Sequence, residues 1–176
     1  MRRAALIAAL LGIAACTPDA TSRCNAALHS NSTPHEQDLC KIGVDDTPAL
    51  RGKIGMQYLK GEGGATQNCE KASYWLHTAA EQGDVPSLVT LGEMYASDMF
   101  PKTKPLPQCV EKNIVMGHVY LRAAQYYLHR IKDKNRARAV FVPNLDANIA
   151  LIQGELDQHR TTESNELYRK LSDERP

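Results

Sequence analysis

The chain has 176 residues, 21 Lys and Arg against 20 Asp and Glu, a formal net charge of +1 and 43% hydrophobic residues. So even a balance excludes the basic surface that a nucleic-acid partner demands. One hydrophobic run lies at the N-terminus and no second run of spanning length follows, so the remainder suits one domain with a moderate core.

From Met1 to Ala15, Arg2 and Arg3 precede a nearly unbroken run of Ala, Leu and Ile, too short for a permanent membrane anchor and patterned as a secretory signal. Its loss takes the basic count from 21 to 19 against 20 acidic residues and leaves about 160 residues. The run ends in Ile13-Ala14-Ala15-Cys16, which resembles the lipobox of bacterial lipoproteins. That resemblance implies cleavage before Cys16 and acylation of its thiol. A plain signal peptide with an incidental cysteine is the alternative. Acyl chains contribute about 0.8 kcal/mol per buried CH₂, so several of them hold a protein on the membrane. Thr17 follows the cysteine, and in such lipoproteins the absence of aspartate there implies the inner leaflet of the outer membrane, facing the periplasm.

Residues 16–34 are small and polar and read as a lipidated tether, leaving 35–176 as the folded domain. Pro34 can open a short helix running through Cys40, and Asp45-Asp46-Thr47-Pro48 supplies an N-cap for the next one. With Cys16 acylated, Cys24, Cys40, Cys69 and Cys109 form an even set in an oxidising compartment. Of the three pairings, Cys24 with Cys40 and Cys69 with Cys109 is favoured; free thiols or a metal site are the alternatives. Each closure would contribute about 3 to 4 kcal/mol.

Residues 48–83 carry the strongest pattern. Leu50, Ile54, Met56, Tyr58 and Leu59 supply an apolar helical face, and Gly61-Glu62-Gly63-Gly64 breaks it. Lys71, Ala72, Trp75, Leu76, Ala79 and Ala80 then form a second stripe that Gly83 ends. Ile54-Gly55-Met56-Gln57-Tyr58 recurs as Leu91-Gly92-Glu93-Met94-Tyr95 at an offset of 37, and Ala79-Ala80 recurs as Ala123-Ala124 at 44, which places Val119 opposite Trp75. A repeated helical hairpin predicts an all-α short solenoid of about two repeats plus capping helices. Ile54, Gly55, Tyr58, Trp75, Ala79, Ala80, Leu91, Gly92 and Tyr95 are its expected core, with Trp75 buried against Tyr58 and the paired alanines. The glycines admit close helix approach.

These residues resemble the Sel-one-like repeat, a relative of the tetratricopeptide repeat whose pattern runs LGxxYxxGxGV, a short loop, then KAxxWxxxAAxxG. Ile54, Gly55, Tyr58, Gly61, Gly63, Lys71, Ala72, Trp75, Ala79, Ala80 and Gly83 stand on its positions. The likeness covers roughly residues 48 to 127, and the second copy is degenerate.

The second copy carries an insertion, Met99 to Gln108, in which Pro101, Pro105 and Pro107 stiffen a loop bearing Met99 and Phe100. It either packs back on its own hairpin or serves as an interaction loop. A long helix follows from Cys109 to His129, then the basic segment His129 to Arg138, read as a solvated helix end or as a contact for lipid head groups or an acidic partner. Two further helical stretches, Pro143 to Leu156 and on to Leu171, would cap the C-terminal end.

No SxxK, GxSxG, HExxH or phosphate-binding loop occurs, and none of His29, His35, His77 or His118 has acids or cysteines at helical spacing that imply a ligand set. No catalytic residue, metal or cofactor is therefore expected, and a hydrolase is the least favoured reading. The expected activity is binding of a protein partner. Small Sel-one-like lipoproteins resemble immunity proteins encoded beside type VI secretion phospholipase effectors, which implies masking of such a toxin; an envelope scaffold is the alternative. In such hairpins the first helices line the concave side, so the expected partner contacts are Lys53, Gln57 and Lys60, then Thr90, Glu93 and Ser97, with Met99 and Phe100 as the apolar anchor.

Overall fold

A computed structural model describes residues 32–43, 45–100, 106–131 and 144–173. Cys16, Cys24, the leader, Pro101, Pro105 and residues 132–143 of the basic and following segments lie outside the described residues. Among those described, seven α-helices and one short 3-10 turn occur and no strand. The helices are α1 (Pro34–Ile42), α2 (Pro48–Lys60), α3 (Cys69–Glu81), α4 (Val85–Tyr95), α5 (Ile114–Leu128), α6 (Leu145–Glu155) and α7 (Gln158–Asp173), with the 3-10 turn at Ser97–Met99. The fold is all-α, a short solenoid of helical hairpins.

Local chemistry sets most of the helix ends. Thr33 and Glu36 form a reciprocal capping box on α1, and Thr47, Asn68, Asp84 and Asn113 each accept a hydrogen bond from a backbone N–H in the first turn of the helix they open. Gly61 ends α2 at φ 68, the left-handed region that glycine enters without penalty.

The two hairpins are α2 with α3 and α4 with α5, and they stack through α3 and α4. Close approach in each depends on a glycine. A β-carbon on Gly55 would lie 2.9 Å from Leu76 Cγ and 3.0 Å from the Leu76 backbone nitrogen, and one on Gly92 would lie 2.6 Å from Leu121 Cγ. The amide of Asn68 donates to the Tyr58 carbonyl at 2.9 Å, and that of Asn113 donates to the Tyr95 carbonyl at the same distance.

These equivalences correct the register expected for the second copy. Leu76 matches Leu121 and Asn68 matches Asn113, an offset of 45 rather than 44. Ala79 therefore pairs with Ala124, both fully buried, and Tyr120 stands where Trp75 stands in the first hairpin, not Val119. The alanine doublet misled because two registers of small residues look alike in sequence, whereas only one puts a leucine over the glycine.

Trp75 also departs from expectation. It is half-buried, packed on the core from outside and edge-on to Tyr74, a residue 64% exposed. The fully buried member of that turn is Leu76.

Cys69 and Cys109 are joined, as favoured, tying the insertion to the start of α3. Cys40 is also disulfide-bonded, and its expected partner Cys24 lies outside the described residues. Ser97 donates to Gln108 Oε1 at 2.8 Å and Lys112 pairs with Asp98, so the described ends of the insertion fold back onto their own hairpin.

Both ends of the solenoid are covered through buried histidines. α1 lies on α2, where Gln57 Nε2 donates to Asp38 at 2.7 Å; Gln57 Oε1 is thereby the acceptor for His35 Nδ1–H at 2.6 Å. His35 also meets Tyr58 edge-on at 4.5 Å. At the other end α6 and α7 pack on α5, where fully buried His118 bonds Ser164 through Nδ1 at 2.8 Å. Arg122 bonds Asn165 and lies over the Tyr168 ring.

Burial foremost, then the charge of Arg122, push the His118 imidazole below its usual value, only partly offset by Gln153. Among the described residues His118 Nε2 has no hydrogen-bond partner. A depressed folded value contributes stability above the unfolded value of about 6.5 and loses it as pH falls toward the folded one. Unfolding free energy should therefore decline on acidification below about pH 7. In His118→Asn that component should vanish, although the variant starts less stable. Denaturation profiles of the two proteins that run parallel across this range would refute the assignment.

Candidate protein-binding groove

α2 enters the hairpin pair with two faces already committed. Ile54, Tyr58 and Leu59 go to the core and Gln57 goes to α1, which leaves Ala49, Lys53, Met56 and Lys60 as a stripe along the remaining side at i, i+4, i+7 and i+11. That stripe forms one wall of a groove of about 770 Å³. The opposite wall is the turn from Gln82 to Pro86 that starts α4, and Ile131, just past α5, closes one side.

Gly52 brings the walls together. A β-carbon there would lie 2.5 Å from Asp84 Oδ2 and from Ser87 Oγ, so any larger residue would displace the start of α4. Asp84 itself is spent on structure, accepting from Ser87 N at 3.0 Å and Ser87 Oγ at 2.5 Å. Burial raises its carboxyl pKa, opposed by those two bonds. Lys53 is 57% exposed at its side chain and pairs with Asp38 Oδ2 at 2.7 Å, with Lys41 a further 3.7 Å from the same carboxylate. Burial alone would push Asp38 up, but hydrogen bonds from Lys53 and Gln57 and the charges of both lysines hold it below the usual range. Chemically the groove offers a mainly apolar floor under two ammonium groups.

Of the expected partner contacts, Lys53 and Lys60 line this groove. Gln57 does not: it is buried, because α1 docks over its face. Thr90 is buried too, its hydroxyl donating to the Pro86 carbonyl at 2.8 Å. Phe100 is 8% exposed and belongs to the core, with Met99 partly buried against it, so neither is the projecting anchor expected of the insertion. The apolar residues flanking the prolines fold inward because the disulfide and the Gln108 bonds draw the loop onto its hairpin. Glu93 and Ser97 are partly exposed and do not line the groove. Met56 and Ile131 were not among the expected contacts; the 49, 53, 56, 60 spacing was the signal for Met56, and none in the sequence pointed to Ile131.

A second, more polar cleft of about 550 Å³ lies between Ser73, Tyr95 and residues 109–113. Beside it His77 Nδ1 donates to the Ser73 carbonyl at 2.7 Å, so Nε2 accepts from the Tyr95 hydroxyl at 3.2 Å. Burial raises the Tyr95 pKa, and its ring stacks on Tyr120. With both ring nitrogens engaged, the histidine is a packing element of the hairpin interface. Among the described residues no group of three or more His, Cys, Asp or Glu is placed to hold a metal ion.

The fold is that of a helical-repeat protein built on Sel-one-like hairpins. A protective antigen present in uropathogenic Escherichia coli strains, displaying an SLR fold, superposes with a TM-score of 0.57 at 16% identity. The match takes in 88% of this chain and 29% of that one, so the chain spans less than a third of its neighbour and the likeness is one of fold. No protein-family model matches the chain, and no curated protein matches it.

Proposed function

We propose that the chain is a bacterial envelope lipoprotein, acylated on Cys16 and facing the periplasm, that binds a protein partner in the groove between α2 and α4 and performs no chemistry of its own. The groove carries this reading: an apolar floor with a charged rim is the composition of a specific protein interface, where a few desolvated side chains supply most of the energy. In its most specific form the protein is an immunity protein that masks a type VI secretion lipase or phospholipase. The repeat motifs and the residues around Cys16 support that form, through their resemblance to immunity lipoproteins of this kind.

Two measurements test it. Cys16→Ser should move the protein from the membrane to the soluble periplasmic fraction, and membrane pelleting of that variant would refute the anchor. The purified lipase or phospholipase encoded beside the gene should be inhibited stoichiometrically by the mature protein, and Ile131→Asp, at a position 37% exposed in the groove wall, should abolish inhibition without unfolding the chain. A neighbouring lipase left fully active would refute immunity and favour the scaffold.

A further inference from the structure

We infer that the groove takes an acidic segment of a protein partner, one that seats an apolar side chain between two carboxylates. The inference rests on the binding role proposed above and names the chemistry of the occupant. Lys53 and Lys60 are seven residues apart on α2, which sets their Cα atoms about 10 Å apart along the axis on one face. Met56 lies between them, and Val85 and Pro86 face it across the groove. An occupant that fills this space therefore places its apolar group between two fixed positive charges.

The charge balance of the lining favours acidic over basic segments. Its carboxylate, Asp84, faces inward to Ser87 and is satisfied by two hydrogen bonds. Lys53 shares Asp38 with Lys41, so that cluster of two cations and one anion keeps a net positive charge. Among the described residues no hydrogen bond or ion pair engages Lys60, which is exposed. A partner bearing lysine or arginine at these points would meet like charge, whereas glutamate or aspartate would pair at the rim, where such pairs tune encounter and specificity.

Synthetic helical peptides test this on the mature full-length protein by fluorescence anisotropy: one with a leucine face flanked by glutamates, one with lysines in place of the glutamates, and one with the leucines replaced by alanine. The glutamate and leucine peptide should bind about tenfold more tightly than either other peptide, weaken as salt is raised, and shift the Met56 methyl resonance. Lys53→Gln with Lys60→Gln should lose about tenfold in affinity, while Lys53→Arg with Lys60→Arg should retain it, which separates charge from a folding defect. Equal affinity for both charge forms would overturn the inference, as would binding without a Met56 shift or a groove already filled by residues 132–143 of the chain. If no peptide binds but the neighbouring lipase is still inhibited, this occupant is wrong and the binding role stands. If peptides bind as expected and Ile131→Asp leaves lipase inhibition intact, the occupant chemistry holds and the immunity assignment at this groove fails.

Discussion

Leu76→Ala should destabilise the chain by about 2 to 5 kcal/mol, a large part of the 5 to 15 kcal/mol available to an ordinary domain. Leu76 has no exposed surface and lies over Gly55, whose backbone is already in contact with it, so the surrounding helices have little room to close on the space left behind. Leu121→Ala should behave alike, since Leu121 is equally buried over Gly92. Trp75→Ala should cost less than either, although tryptophan is the larger side chain, because Trp75 retains solvent contact. Urea unfolding of the three variants checks the order. A tryptophan variant less stable than Leu76→Ala would mean that the hairpin closes on Trp75 and that the glycine contacts are misplaced.

Replacing Cys69 and Cys109 together by serine should lower stability by about 4 kcal/mol, the loop-closure value for a sequence separation of 40. The bond joins the first residue of α3 to the residue that follows the insertion, so its loss frees the unfolded chain over α3, α4 and the insertion and also releases the loop in which Phe100 is buried. Near-ultraviolet circular dichroism should change more than the far-ultraviolet spectrum, as the helices have their own caps. A double variant within about 1 kcal/mol of the parent would show that the hydrogen bonds of Gln108 and the Lys112–Asp98 pair already hold the loop.

Several elements were written in short stretches of sequence. Pro34 and Thr47-Pro48 announce helix starts, Gly61 announces a stop, and the recurrence of Ile54-Gly55 through Tyr58 as Leu91-Gly92 through Tyr95 announces two hairpins. These are local effects: a capping side chain or a left-handed glycine acts within one turn, so its meaning does not depend on what lies across the fold. The same holds for the glycine close to each buried leucine, since a missing β-carbon in a helix interior needs a neighbour to justify it.

What only the tertiary structure decided is which polar and apolar residues change sides. Gln57 is polar and was expected at the surface, yet α1 arrives from outside the repeat and gives its amide two partners, His35 and Asp38, in a buried site. Met56, apolar and expected in the core, is left beside the groove because the neighbouring positions fill the hairpin first. Phe100 turns inward because a disulfide from another helix draws its loop down, and His118 is buried because Ser164, 46 residues later, meets its ring. In each case the deciding partner is far away in sequence, and a helical period read along one segment carries no information about what that segment will meet.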